Sequence, residues 1–236
     1  MDPLNAPHLL AALALGALLN LDRQSFGHFM LGRPLVTGLF MGLALGRPWA
    51  GLTLGLWTEI LWLSRPPLGG FISPNGGLAV SCALLASTLL ARFFPLAPER
   101  PVLVLLFALI PPLAKMATGL EVLGREVAGR REERLELLES LPPPGPEPVF
   151  FWANLKGLLF TLLAALAGLT AGTGLVTLGA GLVIRLDPQW LWPLLDKLAP
   201  LIPLVGLSIN AGRLPKSLFA YYFLGLAAAL ALLSLA

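Results

Sequence analysis

Residues 33–77 read RPLVTGLFMGLALGRPWAGLTLGLWTEILWLSRPPLGGFISPNGG, and they decide the fold expected for this chain. They combine an apolar run punctuated by glycine, one carboxylate (Glu59) within that run, and a segment rich in proline, glycine and asparagine that cannot form a regular helix. In a soluble protein this mixture would be unusual. In a membrane it is typical of a translocation site, where an ionisable group and irregular backbone line a cavity.

The composition indicates a membrane protein. Of the 236 residues, 56% are hydrophobic and 12% are charged, whereas soluble domains carry about 25% charged residues. Three stretches without Asp, Glu, Lys or Arg are each long enough to span the hydrocarbon core, for which about 20 residues suffice. They are residues 66–91, 157–184 and 217–236. We therefore predict an all-α, polytopic integral membrane protein with re-entrant or broken helices.

The charged and reactive residues argue against other classes of protein. The formal net charge is +3, but the basic residues stand at the ends of apolar segments, as they do at the ends of membrane helices. Cys82, His8 and His28 show no metal-ligand spacing, so no metal and no cofactor are predicted. The sequence contains no P-loop, Gly-x-Ser-x-Gly or His-Glu-x-x-His motif, which favours a transport subunit over an enzyme.

Proline, glycine and charge mark the expected helix boundaries. The N-terminal apolar run lacks the positive flank of a signal peptide, so we interpret it as an uncleaved first segment. Pro111-Pro112 predicts a kink, and residues 65–77 predict a loop or unwound backbone. The segment 187–200 is expected to be interfacial or re-entrant. The expected helices are 4–21, 33–46, 49–64, 77–94, 102–116, 150–171, 172–186, 201–211 and 217–236.

A charged segment divides the chain. Residues 121–139 carry six Glu and four Arg with apolar residues near helical spacing, which predicts an amphipathic helix outside the bilayer core. The proline-rich residues 141–148 form a stiff linker. The expected organisation is an N-terminal membrane half with the site loop (1–120), a charged arm with its linker (121–148) and a C-terminal membrane half (149–236). The arm is either a solvated connection or a docking surface for a partner.

The two membrane halves share a glycine pattern. Glycines recur near four-residue spacing in both, which lets helix backbones approach closely. Each Gly-rich tract runs into a break that contains proline and tryptophan. Paired, interrupted apolar segments are typical of transporters built from repeats, so the sequence predicts an internal repeat.

Five polar residues in or beside apolar runs are the candidate substrate contacts: Glu59, Asn75, Asn210, Thr58 and Ser73. A buried carboxylate at 59 must be neutralised or hydrogen-bonded, either by ligand hydroxyls in a wet cavity or by an arginine such as Arg65. The amide of Asn75 offers a donor and an acceptor to a sugar hydroxyl, or else it tolerates a left-handed turn. For Asn210 the alternative is helix capping, and for Thr58 it is a bond to its own helix.

These motifs resemble a known family. The resemblance rests on three features: Leu21-Asp22, the run RPLVTGLFMGLALGRPWAGLTLGLWTEILWL at 33–63, and PLGGFISPNGGLA at 67–79. They resemble the membrane IIC component of the mannose/fructose/sorbose family of sugar phosphotransferase systems. One departure is Leu45-Gly46-Arg47, where that family has Leu-Gly-Asp. A second is the amide of Asn75, at a position where a carboxylate often follows proline.

The resemblance implies a sugar-translocating permease subunit of a phosphoenolpyruvate-dependent phosphotransferase system, with a hexose-like substrate, in the bacterial inner membrane. The implied partners are a IID-like membrane subunit and cytosolic IIA and IIB phosphocarrier proteins that perform the phosphoryl transfer, in an oligomeric assembly. Glu59 and Asn75 fall on the family's membrane carboxylate and its Pro-Asp/Asn motif, and Asn210 is a third contact. The alternatives are a non-transporting regulatory or assembly subunit that recruits a partner through 121–148, and a secondary carrier that works without phosphotransfer.

Overall fold

The computed structural model describes residues 6–23, 29–63, 72–139, 147–186 and 189–211. Within these ranges every regular element is a helix. The predicted helix at 217–236 and most of the predicted loop at 65–77, including Arg65, lie outside the described residues. The helices are α1 (Ala6–Leu21), α2 (Pro34–Ala44), α3 (Pro48–Trp62), α4 (Gly76–Phe93), α5 (Glu99–Glu139), α6 (Glu147–Arg185), α7 (Leu191–Leu198) and α8 (Leu201–Ala211).

Among the described residues, three helices are long and apolar enough to cross a membrane: Gly76–Phe93, Glu99–Glu126 and Leu155–Arg185. The others are shorter. The 11 residues of α2 and the 15 residues of α3, at about 1.5 Å per residue, do not reach across a hydrocarbon core of about 30 Å. The prediction of an all-α membrane protein with broken helices is confirmed.

Helices α2 and α3 form a hairpin whose backbones touch. Pro34 and Pro48 lie in the first turns of these helices, where the missing N–H of proline costs nothing. A Cβ at Gly38 would collide with the carbonyl oxygen of Gly51, and a Cβ at Gly42 would lie 3.0 Å from the Cα of that same residue. The four-residue glycine spacing therefore serves close helix packing, as the sequence predicts.

Helix α4 is the centre of the bundle. Of its residues, 78% are buried, and the helix packs against α1, α2, α3, α5 and α6. Its sequence, GGLAVSCALLASTLLARF, is rich in Gly, Ala, Ser, Cys and Thr. Small side chains let five neighbouring helices approach one axis, which is how helices associate in lipid.

Helix α5 is longer than the sequence predicts. It continues from Glu99 to Glu139 with Pro111 and Pro112 inside it, so the predicted end at residue 116 is wrong. Neighbouring helices make such prolines tolerable in a membrane helix. The following segment is rich in Glu, Arg and Leu, which are strong helix formers, so nothing ends the helix there. It also passes without a break through the boundary expected after residue 120.

Helix α6 is likewise continuous, so the break predicted at Gly172 is wrong. A Cβ at Gly172 would lie 2.8 Å from the Sγ of Cys82 and 3.2 Å from Cδ1 of Leu113. The glycine therefore makes room for α4 and α5 within an intact helix. The sequence pattern alone does not distinguish this use of glycine from a helix break.

Candidate functional site

The ends of α1 and α3 and the starts of α2 and α4 meet at one end of the bundle, which we call the site end. A Cβ at Gly76 would lie 2.7 Å from Cγ of Pro34 and 2.7 Å from Cζ3 of Trp62. A Cβ at Gly77 would collide with the carbonyl oxygen of Gly32. The glycines that open α4 thus allow Gly32, the start of α2 and the end of α3 to lie against its first turn.

Asp22 organises the chain between α1 and α2. Its side chain is buried, and its Oδ1 accepts a hydrogen bond from the backbone N–H of Phe29 at 2.6 Å. Its Oδ2 accepts from the N–H groups of Leu31 at 2.8 Å and Gly32 at 3.4 Å. A carboxylate that accepts several backbone N–H bonds holds a turn in a fixed shape. The Leu21-Asp22 motif therefore has a structural role at the site end.

Asn75 is the N-cap of α4 and is 1% exposed. Its Oδ1 accepts from the N–H of Leu78 at 3.1 Å, and its Nδ2 donates to Oδ1 of Asn20 at 2.9 Å. Its own N–H donates to Oγ1 of Thr118 at 3.0 Å. Its φ is −76°, so the alternative of a left-handed turn is wrong. The side-chain amide thus joins α1 to α4, and the backbone N–H adds a contact with α5.

Ser73 is held by an arginine from the end of α1. Nη2 of Arg23 donates to the carbonyl oxygen of Ser73 at 2.9 Å and to its Oγ at 3.4 Å. Nε of the same arginine lies 3.4 Å from Oε2 of Glu121, which is 1% exposed. The sequence pattern placed Glu121 in a charged arm outside the bilayer core, whereas its carboxylate is buried against α1.

A cleft opens beside this cluster, between α1, α4, α5 and α6. Its enclosed part holds about 20 Å³, roughly the space of one water molecule, and the rest of it is open to the outside. Its polar wall comes from α1, α5 and the cap of α4, and its outer side from α6. The polar lining residues are Asn20, Asn75, Glu121 and Thr161, and Phe160 adds an aromatic ring.

Glu59 lies on the other side of the site end, on α3. Its Oε1 is 3.3 Å from Nη1 of Arg33, and its Oε2 accepts from the N–H of Leu35 at 3.4 Å. The carboxylate therefore interacts with the first turn of α2, where the helix dipole favours a negative charge. Its side chain is 19% exposed.

The two remaining predicted contacts also lie on α3 or against it. Thr58 is buried, and its Oγ1 donates to the carbonyl oxygen of Leu54 at 2.6 Å, which is the intrahelical bond given above as the alternative. Asn210 on α8 donates from Nδ2 to the carbonyl oxygens of Ile60 at 2.6 Å and Gly206 at 2.7 Å. It thereby fixes α8 to the end of α3.

The structure thus divides the predicted residues into two groups. Asn75 lines the cleft and Ser73 lies two residues before it in the chain, whereas Glu59, Thr58 and Asn210 lie around the end of α3. Sequence reasoning missed the cleft residues Asn20 and Glu121 and their neighbour Arg23. Asn20 carried a signal, because it is the one polar residue within the apolar run of 9–21. Within the described ranges no three His, Cys, Asp or Glu side chains group closely enough to hold a metal ion.

At the opposite end of the bundle, Arg47 joins three helices. Nη1 of Arg47 donates to the carbonyl oxygen of Ser87 at 2.9 Å and to its Oγ at 2.6 Å. Nη2 lies 2.5 Å from Oε1 of Glu99. The arginine in Leu45-Gly46-Arg47 thus connects the α2–α3 turn to α4 and α5. That turn needs glycine, because Gly46 has a φ of 68°.

Comparison with known proteins agrees with this fold. A family model described as the sorbose-specific IIC component of the phosphotransferase system matches residues 8–132, more than half of the chain. A solved structure described as a membrane protein is similar over 96% of this chain and 87% of its own, with a TM-score of 0.65 and 17% identity. The cryo-EM structure of the mannose transporter ManYZ with microcin E492 (MceA) is similar over 97% and 88%, with a TM-score of 0.56 and 19% identity.

These two likenesses concern the fold alone, and no curated protein sequence matched significantly. The family match carries the assignment, because it covers α1–α4 and the part of α5 that forms the cleft. The chain therefore belongs to the sorbose-specific IIC family of the phosphotransferase system, and it is a membrane-embedded sugar permease subunit.

Proposed function

We propose that this subunit moves a hexose-like sugar across the bacterial inner membrane for phosphorylation by partner proteins. The observation that carries the proposal is the cleft beside Asn75, at a break between helices in a member of a IIC family. Non-helical backbone at membrane depth is tolerated where it lines a cavity. The backbone of residues 72–75 meets that description, since it precedes α4 and lies next to the cleft.

Asn75 is the proposed first contact with the sugar. Its amide has two Nδ2 hydrogens, of which the bond to Asn20 uses one. A neutral sugar suits amide and carboxylate partners, whereas an ion pathway would require a longer series of ionisable groups. Ser73 positions the same backbone through its bonds to Arg23.

We propose Glu59 as a contact from the other side of the site end. Its two interactions, at 3.3 and 3.4 Å, are long for charge-assisted bonds, and its side chain is partly exposed. Hydroxyls of a sugar could replace them. Thr58 bonds within α3 and Asn210 bonds α8 to α3, so these two residues would set the position of α3.

The proposed partners follow from the family. We infer a IID-like membrane subunit in an oligomeric assembly, and cytosolic IIA and IIB proteins that carry out phosphoryl transfer. A wide apolar face of α6 is available to lipid or to such a subunit, since Leu163, Leu178 and Leu182 are each more than 60% exposed. We further propose that the segment 121–148 connects two membrane halves, 1–120 and 149–236, which pack together where α6 contacts α1, α4 and α5.

The test is uptake in a bacterium that lacks its own hexose phosphotransferase permeases, with the chain co-expressed with IID, IIA and IIB partners. We expect labelled D-mannose, D-fructose or L-sorbose to accumulate as a sugar phosphate only when phosphoenolpyruvate and all partners are present. Accumulation of free sugar without them would instead identify a secondary carrier. No uptake of any sugar, with the chain present in the membrane, would identify a regulatory or assembly subunit.

A further inference from the structure

Glu121 is a buried carboxylate with an unused acceptor in the wall of the cleft. It lies on α5, is 1% exposed and lines the cleft with Asn20 and Asn75. Its Oε1 accepts from Nη2 of Arg125 at 2.8 Å. Its Oε2 has no hydrogen-bond partner among the described residues. An ionised carboxyl group can accept about four hydrogen bonds, so most of its capacity is open.

The nearest donor does not satisfy that oxygen. Nε of Arg23 lies 3.4 Å from Oε2, yet it too is buried without a hydrogen-bond partner in the described part of the chain. The two atoms attract each other by charge but are not aligned for a hydrogen bond. Buried polar atoms left in this state are costly, and each one calls for an explanation. A ligand atom beside the pair, within hydrogen-bond distance of both, would supply one.

A hydroxyl group is the chemical group that satisfies both atoms at once. It donates one hydrogen, which Oε2 would accept, and its oxygen accepts from the Nε–H of Arg23. A water molecule offers the same donor and acceptor. The ring of Phe160 on the opposite wall offers an apolar surface to the C–H face of a sugar.

We propose that Glu121 is a specificity-determining residue of the sugar site, where its Oε2 accepts a hydrogen bond from one particular hydroxyl of the substrate beside Arg23. The inference rests on the proposed function and deepens it. Because the hydrogen bond is directional, the site selects the configuration at that carbon of the sugar. Arg125 and Arg23 keep the carboxylate in place on either side.

The test combines substitutions in the protein with deletions in the sugar. D-mannose and its 2-, 3-, 4- and 6-deoxy analogues compete for uptake by the wild-type permease with its partners and by Glu121→Gln. The control is Glu126→Gln, since Glu126 is exposed on the same helix. We expect one deoxy analogue to bind about tenfold or more weaker to the wild type, the size of a bond to a charged group. In E121Q that difference shrinks, because an amide oxygen is a weaker acceptor than a carboxylate, whereas E126Q retains it in full.

A purely structural role gives a different result. E121Q would then weaken all five sugars equally or none of them, and either outcome overturns the proposal. If removing one sugar hydroxyl weakens binding less once Glu121 is changed, the two groups are in contact. A general disturbance of the structure by the substitution would not depend on that hydroxyl. If the wild type takes up none of the sugars tested, the proposed function fails, and this inference fails with it.

A second measurement covers the case in which E121Q does not accumulate. Ala164 lines the cleft from α6, and Cys82, the one native cysteine, is fully buried. We expect D-mannose to protect Ala164→Cys from a small methanethiosulfonate reagent, and the same deoxy analogue to fail to protect it. Lys156→Cys, exposed on the same helix, is the unprotected control. Modification of A164C at equal rates with and without sugar, or equal protection by every analogue, contradicts the proposal.

Discussion

Two carboxylates at the site end, Glu59 and Glu121, are each paired with arginine but differ in what surrounds them. Glu59 is 19% exposed, and each of its oxygens has a partner, one from Arg33 and one from the first turn of α2. Glu121 is 1% exposed and lies between Arg23 and Arg125, and one of its oxygens has no hydrogen bond to any residue that the structure describes. In the sequence, Glu59 stands alone in an apolar run, whereas Glu121 begins a highly charged segment.

The comparison shows that a charged residue that stands alone in an apolar stretch of sequence is not necessarily the more deeply buried one. A lone charge in an apolar helix is conspicuous, but it can reach a helix end and be partly solvated there. A charged residue at the start of a polar segment is expected to be exposed, yet Glu121 lies on the part of α5 that packs inside the bundle. The energetic consequences differ, because the loss of one partner from a buried pair leaves an uncompensated charge behind.

The largest expected effect is therefore that of Glu121→Ala. The substitution leaves the partly buried Arg23 without its counter-charge, and breaking a buried pair costs up to about 3–5 kcal/mol. Thermal unfolding of the purified protein in detergent measures the loss. If Glu59→Ala lowered the stability by the same amount, the contrast between the two carboxylates would be wrong, because burial would then not determine the free energy lost.

Asn75→Ala comes next, at about 1–2 kcal/mol, since it removes the N-cap of α4. It also leaves Oδ1 of Asn20 without the donor that it has now. Asn75→Ser is the matched control, because serine restores the cap and not the bond to Asn20. If the alanine and serine variants unfolded at the same temperature, capping would not be the source of the stability.

Glu59→Ala is expected to cost about 1 kcal/mol, because the charge interaction with a partly exposed helix start is of that size. Unfolding of the purified protein tests this value. Uptake by Glu59→Gln sharpens the functional side of the comparison. Unchanged uptake in that variant would leave the carboxylate as a cap of α2 and remove it from the sugar contacts.

Arg125→Ala is expected to have the smallest effect, about 0.5 kcal/mol, because its side chain is 53% exposed and solvent screens the pair. Arg100→Ala provides the reference at the other end of the same helix, where Arg100 lies 3.9 Å from Asp196. A much larger effect of R125A in an unfolding measurement would mean that Arg125, rather than Arg23, stabilises the buried carboxylate.

Much of the fold could be predicted from the sequence, because its signals are local. Arg33-Pro34 and Arg47-Pro48 mark the starts of α2 and α3, and Asn75 with two glycines marks the start of α4. The continuity of α6 could not be predicted, since the role of Gly172 depends on Cys82 in another helix.

The candidate site could be predicted only in part, for the same reason. Asn75 was found from its motif, but its partner Asn20 is 55 residues away along the chain. Glu121 was grouped with its charged neighbours, because periodicity describes one helix at a time and carries no information about which face another helix will cover.

The glycine contacts between α2 and α3 have a mechanical consequence. Backbone lies directly on backbone at Gly38, Gly42 and Gly51, so no side chain can change rotamer there to let one helix slide past the other. We expect the hairpin to move as one rigid unit, with Arg33 and Glu59 at one end and Arg47 at the other. A displacement of one end should then reach the other, where the contacts of Arg47 with Ser87 and Glu99 would restrain it.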